Sequence, residues 1–532
     1  MPHQSSLTED ASVTPVTSHA TLARKGLPIL IATLISRPLG FIREAVQAAL
    51  FGASRLTDVF IIAYNVPELI QTLFFSGVLS NFFVPIITRY RNQREELNTV
   101  FSVTMNGALV LAVGLAALCY VTAPWIMTVA APGIIGTDHD LAVFLFRFML
   151  PMLILHCLLA VIKGTLNSID HYAMPEYAGV FFNLVMIACA LFLSGSYGIT
   201  SLAIGVVGGS IVQLLVQFPT LRKHGIHYHP SHGFSHPALH EMRGLVVGAI
   251  IATAVVPINA FIARAMASGL PEGSVSALTY AFRVFILPVS LFAVPVYTVL
   301  LTELSTAQHQ GEQQRFKDQA ATGLSLLFAV ALPATAVVIA LATPITRLLY
   351  ERGQFSAEDT VLTSQALIAY GVGVLAYGTS QVMVRLFNAT KDTSTPAWVG
   401  VGSIGLSIGG IWLFRDWWGH WGIALVTSVV SYINTLVLYG LFRHRFGPLD
   451  ESFLLRRFGV HLLLAGALGV ILLFADRWLE SFLGLQTIIA QVLHLACVLA
   501  IGGTAYLTLA LLFRVDEVAT LTRQVAKRLG RK

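Results

Sequence analysis

Fourteen apolar runs, each close to the length a helix needs to cross a bilayer, follow one another along this 532-residue chain. A helix rising 1.5 Å per residue crosses roughly 30 Å of hydrocarbon in about 20 residues. The runs lie near 27–51, 58–88, 99–123, 140–166, 174–194, 198–221, 241–268, 275–303, 319–342, 360–388, 396–414, 420–442, 457–475 and 485–513. Backbone immersed in hydrocarbon must satisfy its own N–H and C=O groups, and runs of this length do so as helices. The expected fold is therefore an all-α polytopic membrane protein of 14 transmembrane helices. Composition agrees, with 55% hydrophobic and only 11% charged residues, where soluble domains carry about 25% charged. That balance excludes a soluble enzyme and a disordered chain. Cys119, Cys157, Cys189 and Cys497 all lie inside apolar runs without paired spacing, which predicts neither a zinc site nor a disulfide framework.

Basic residues set the expected orientation. Fourteen spans bring both termini to one side, and that side holds 21 of the 33 Lys and Arg residues, including six in the tail at 514–532. Five lie opposite: Arg55, Arg347, Arg352, Arg415 and Arg477. Both termini are thus expected in the cytoplasm. The asymmetry accounts for the net charge of +6 without nucleic acid. Residues 1–25 are polar, with no apolar core before Arg24-Lys25, and are expected to form a flexible cytoplasmic tail rather than a cleaved signal. The basic tail at 514–532 is expected to lie against anionic headgroups.

The chain half-repeats. Asn167 with Pro175 recurs as Asn388 with Pro396 at an offset of 221, Gly198-Ile199 as Gly422-Ile423 at 224, and Pro38 as Pro257 at 219. The expected organisation is an N-lobe of six spans (26–225), a C-lobe of six (237–446) and an appended pair (453–513). An even number of spans per lobe makes the repeats parallel, an arrangement transporters use to build a substrate site at the lobe interface.

Seven basic residues remain inside spans. Lys163, Arg385 and Arg147 sit near span ends, where long side chains reach the interface. Arg37, Arg43, Arg264 and Arg283 sit deeper, and each such arginine costs about 2.5–3.5 kcal/mol to insert. Pairing with Glu44, Asp58 or Glu68 would account for Arg43; no acid is evident at matching depth for Arg37 or Arg283. The alternative is a cationic pocket for an anion, and guanidinium groups match phosphate with paired donors. Pro38-Leu39-Gly40, between Arg37 and Arg43, is expected to bend or break the first span. Asn65, Gln71 and Asn259 lie on arginine-bearing spans and are candidates to line the pocket. Polar residues elsewhere in the spans, Asn81 among them, read more simply as interhelical hydrogen bonds, and the Gly205–Gly209 patch as close helix packing.

No GxxxxGK[ST] or HExxH motif appears, and no outer connection is long enough for a catalytic domain, so no enzyme and no catalytic residue are expected. Ser36-Arg37-Pro38-Leu39-Gly40-Phe41-Ile42-Arg43-Glu44, Phe51-Gly52-Ala53, Thr57-Asp58 and Phe83-Val84-Pro85-Ile86 resemble the MurJ/MviN family of lipid II flippases. The resemblance, extended by Gly273-Ser274-Val275-Ser276 and the Asn-x7-Pro element, covers most of residues 25–510. It implies transport of a lipid-linked peptidoglycan precursor from the inner to the outer leaflet of the bacterial cytoplasmic membrane. It further implies that Arg37, Arg43 and Arg283 hold the pyrophosphate, that Arg264 assists, and that Asp58 orients or releases an arginine. Gln71 replaces a basic residue usual in the family, while Phe282 and Ile286 stand where some members carry acids, so the pocket is expected to be less charged. Asn388 and Asp392 resemble a monovalent-cation element of some members. No cofactor is expected; coupling would come from the membrane potential or a monovalent ion. A monomer is expected, with membrane lipids and peptidoglycan-synthesis enzymes as companions. The rival readings are a flippase for another polyprenyl-linked oligosaccharide, a drug/cation antiporter, whose cavity would be acidic, and a non-transporting scaffold, which would tolerate loss of the arginines.

Overall fold

The structure, a computed structural model, describes residues 19–76, 83–230, 236–513, 515 and 517. The polar tail before residue 19, Asn81 and most of the basic tail lie outside these residues. Every regular element among the described residues is helical: α1 (His19–Phe51), α2 (Arg55–Gln71), α3 (Val84–Thr88), α4 (Arg94–Ala130), α5 (Thr137–Ser168), α6 (Ala173–Tyr197), α7 (Thr200–Leu215), α8 (Phe218–Lys223) and α9 (Pro237–Ala267) in the first half. Then come α10 (Ser274–Pro288), α11 (Val294–His309), α12 (Gln313–Ala340), α13 (Ala342–Tyr350), α14 (Ala357–Val372), α15 (Val374–Ala389), α16 (Ser394–Phe446), α17 (Glu451–Glu480) and α18 (Ile488–Leu512). Among the described residues nine helical stretches, counting α7 with α8 and α10 with the turn that follows it, are long and apolar enough to cross a membrane, and α14 with α15, bent by 43°, makes a tenth. The 53-residue α16 holds two spans, because Gly419 (φ 57°, ψ −142°) breaks it in the middle. The helices α1, α2 and α9 complete the expected fourteen. The first span runs through Pro38-Leu39-Gly40 as one helix, so the expected break there does not occur.

The two-lobe repeat is written in the backbone. Asp170 and Lys391 are the non-glycine residues with positive φ among those described (61° and 62°), and their numbers differ by the offset that separates Asn167 from Asn388. Both close the same turn: His171 N donates to Leu166 O, and Asp392 N to Phe387 O. Gly52 and Gly273 form a second pair at this offset, each with positive φ. Gly198 (φ 53°, ψ −137°) matches Gly419 in the same way. The sequence pairing of Gly198 with Gly422 therefore slips by three positions, since it matched a dipeptide rather than the residue that makes the turn. Pro67 and Pro288 share the offset too, and each precedes a π-helical turn, at Thr72–Ser76 and Val289–Ala293. A proline removes an i→i−4 bond, and the widened turn absorbs the mismatch. The Gly205–Gly209 patch packs as expected: a Cβ on Gly209 would lie 2.9 Å from the Phe182 ring.

At the end of the bundle that carries the α1–α2 and α9–α10 turns, the lobes are stitched together. Asp58, 1% exposed at the start of α2, accepts from Gly273 N at 2.8 Å, from Ser276 N at 2.7 Å and from the Ser276 hydroxyl. Gln354 N donates to Ala49 O at 2.8 Å, and Ala53 N to Asp359 Oδ2 at 3.4 Å. Arg55 binds Asp138 and the carbonyls of Gly133 and Ser268. Gly52 is required twice over: its φ is +63°, and a Cβ there would lie 2.6 Å from Gln354 O.

Candidate functional site

Between the lobes α1, α2, α6, α9 and α10 enclose a cavity lined by Arg43, Glu44, Glu68, Arg264 and Arg283, with Gln47, Tyr64, Asn65 and Tyr280. Arg43 and Arg264 are separated by the same repeat offset, so they are one position seen in the two lobes. A pseudo-twofold between parallel lobes brings such a pair face to face, which is why α1 and α9 deliver one guanidinium each. Arg283 enters from α10. Glu44 Oε1 serves two of them: Arg43 Nη2 donates to it at 3.1 Å, and Arg283 Nε forms an ion pair with it at 3.0 Å. Arg264 Nη1 donates to Asn65 Oδ1 at 3.2 Å. The Arg43 guanidinium also lies 6.0 Å from the centre of the Phe182 ring. Three guanidinium groups thus face two carboxylates, leaving one surplus positive charge in a half-buried space. Because one carboxylate oxygen is shared between two cations, an incoming anion with more acceptor oxygens competes well for both.

The predicted residues separate into three groups. Arg43, Arg264, Arg283 and Asn65 meet in the cavity. Arg37 is exposed on α1 and Gln71 lies at the end of α2, and neither lines it. Asp58 does not reach the arginines: its three bonds run to the α9–α10 turn and the start of α10, so it fastens the lobes rather than orienting a guanidinium. The sequence shows no acid at matching depth for Arg283, and the structure supplies Glu44, one of the three acids within reach of Arg43 by sequence. Asp392 is engaged by Thr395, Ser394 and Arg445 at the α15–α16 turn, and the Asn388 carbonyl accepts from Lys391 N. Burial opposes ionisation of Asp392, but those hydrogen bonds outweigh it and hold the carboxyl well below the usual range. Among the described residues no group of three or more His, Cys, Asp or Glu could hold a metal ion. At the span ends, Lys163 pairs with Glu176 at 2.8 Å, and Arg147 stacks on Tyr120.

Two parallel helical lobes with a charged cavity at their interface define a membrane transporter, and the solved structures agree on the fold: a MATE family multidrug transporter in an inward-facing conformation superposes with a TM-score of 0.66 at 13% identity, over 80% of this chain and 99% of that one. Residues 47–510 match the family model described as lipid II flippase MurJ, beginning just after Arg43. The probable lipid II flippase MurJ of Vibrio cholerae is 31% identical over 438 residues, which is 80% of this chain and 83% of that protein. The lipid II flippase MurJ of Burkholderia cenocepacia is 31% identical over 450 residues, 82% and 87% of the respective chains. A solved lipid II flippase MurJ in an inward closed conformation matches with a TM-score of 0.77 at 27% identity, over 92% of this chain and 99% of that one. The chain belongs to the MurJ family of lipid II flippases, a transporter family and not an enzyme family.

Proposed function

We propose that this protein moves lipid II across the cytoplasmic membrane of a bacterium, from the inner to the outer leaflet, by alternating access between its two lobes. The observation that carries the reading is the convergence of Arg43, Arg264 and Arg283 on one interlobe cavity with a shared Glu44. The pyrophosphate displaces Glu44 from Arg43 and Arg283, so the desolvation cost of these cations is already met before the ligand arrives. The polyprenyl tail stays in lipid while the headgroup crosses. Both termini face the cytoplasm, which places the Asp58 seam at the outer face. Release outward then requires Asp58 to let go of Gly273 and Ser276. An inward-negative potential acts on the surplus positive charge and favours the return of the empty carrier, at about 2.3 kcal/mol per charge per 100 mV. The protein acts as a monomer.

The test is complementation of a bacterium depleted of its own flippase. The unaltered chain restores growth and shape; Arg283→Ala and Arg264→Ala, inserted at equal levels, do not. Rescue by both variants would refute the role given to the arginines, and failure of the unaltered chain would refute the substrate.

A further inference from the structure

A second and larger cavity opens inside the C-lobe, with about 930 Å³ of unfilled space including its mouth, against about 510 Å³ for the arginine cavity. Among the described residues no carboxylate lines it, and the charged residue in its wall is Arg264, which lines both cavities. Its walls carry small polar groups from α9, α15 and both halves of α16: Asn259, Ser380, Ser403, Ser407, Ser431 and Asn434. Asn434 Nδ2 donates to Ser380 Oγ at 2.9 Å, and Asn259 Nδ2 to Ser403 Oγ at 3.4 Å. The Oδ1 atoms of both amides are buried and have no hydrogen-bond partner among the described residues. A buried amide oxygen left unpaired forfeits its solvation for nothing, so two of them lining one cavity call for a donor from outside the protein.

The repeat shows which side chains widen this space. At the equivalent positions of the N-lobe stand Leu159, Phe182 and Met186 in place of Ser380, Ser403 and Ser407, and all three are buried in the core. At these three positions the C-lobe carries hydroxyls where the N-lobe carries apolar side chains, while Ser431 and Asn434 correspond to Ser210 and Gln213, polar in both. Beside the C-lobe hydroxyls α14 and α15 break at Gly373, and a Cβ there would lie 2.9 Å from Ser428 Cβ. The carbonyls released by the break are taken up by side chains of α16: Ser428 Oγ donates to Ala369 O at 2.7 Å, and the Tyr432 hydroxyl to Val372 O at 3.0 Å. Phe282, Phe285 and Tyr370 pack together and supply an aromatic patch to the lining. Broken spans lining a cavity are where transporters place ligand groups.

The geometry points to this cavity as the subsite for the neutral, N-acetylated sugar that adjoins the pyrophosphate, with Arg264 at the junction of the two. A sugar hydroxyl or acetamido N–H supplies the donor that Asn259 and Asn434 lack, the serine hydroxyls serve the remaining polar groups, and the apolar sugar face packs on the aromatic wall. The inference rests on the pyrophosphate reading of the arginine cavity. It assigns headgroup selectivity to the C-lobe alone.

The test measures equilibrium binding of two probes to the purified full chain: a polyprenyl pyrophosphate, and the same lipid carrying an N-acetylated disaccharide. The double variant Asn259→Leu/Asn434→Leu is expected to weaken the sugar-bearing lipid about tenfold, as expected for loss of one or two hydrogen bonds, and to leave the bare lipid unchanged, which doubles as the folding control. Ser403→Phe, which installs the N-lobe residue, is expected to give the same selective loss by filling the space. Arg283→Ala is expected to weaken both lipids. Equal losses for the two lipids in the Asn and Ser variants, or no loss for the sugar-bearing one, would overturn the subsite and leave the arginine reading standing. Unchanged binding of the bare lipid by Arg283→Ala would overturn the arginine reading and the subsite with it.

Discussion

Asp58→Asn is the most informative single change at the lobe seam. Asp58 is 1% exposed and takes three donors: Gly273 N, Ser276 N and the Ser276 hydroxyl. All three come from the other lobe. Asparagine keeps the shape and one acceptor oxygen but sets an NH2 against a backbone N–H. At least one charge-assisted bond is lost and the others weaken. With about 1.5–3 kcal/mol for each bond to a charged group and a further penalty for the stranded donor, the seam loses roughly 2–4 kcal/mol. At about 1.4 kcal/mol per tenfold, the equilibrium between sealed and parted lobes moves by roughly 30- to 700-fold. The assay is a distance distribution between spin labels at Ile135 and Glu272, which are exposed on the two sides of the seam. Asp58→Asn is expected to broaden that distribution and shift it to longer distances while the protein stays folded. An unchanged distribution would show that these bonds do not hold the lobes together, and the seam as the outer closure would have to be abandoned.

Gly52→Ala is expected to part the same labels, because φ of +63° strains any side chain there and its Cβ would press on Gln354 O; an undisturbed distance refutes the close approach. Glu44→Gln removes the carboxylate shared by Arg43 and Arg283 and is expected to raise affinity for a polyprenyl pyrophosphate about tenfold, on the scale of one charged hydrogen bond, while slowing transport through tighter holding; weaker binding would contradict the competition between Glu44 and phosphate. Asp392→Asn tests pH dependence. The native carboxyl is held below its ordinary range, so its stabilising effect is present above the unfolded value of about 4 and is lost as pH falls towards the folded value. Thermal melts of the two proteins should therefore differ at neutral pH and converge in acid, and a gap independent of pH would refute the ionised pair with Arg445.

The helical spans were legible from the apolar runs along the chain. Azimuth around a helix was harder to read. Arg37 and Arg43 lie six positions apart on α1, and at about 100° per residue they point about 120° apart. One unbroken helix cannot aim both into the same cavity, so Arg43 faces the interface and Arg37 faces out. The repeat held an unread signal: at an offset of 221, Arg43 falls on Arg264, the pair that meets across the pseudo-twofold. Pro257, paired with Pro38 at an offset of 219, led away from that register. Glu44 was visible only as a neighbour of Arg43, and its contact with Arg283 depends on how α1 packs against α10. Asp58 shows the same limit. An acid near the start of a span reads as a partner for arginine, whereas its true partners are backbone N–H groups 215 and 218 residues away, which no pattern of side chains announces.

Transport itself decides the central claim. Vesicles reconstituted with the protein and lipid II in the membrane would report the fraction of headgroups that crosses in a single population of purified protein. The account predicts crossing with the unaltered chain and near-complete loss with Arg264→Ala or Arg283→Ala, each still inserted and folded. Crossing at the unaltered rate by both variants would contradict it.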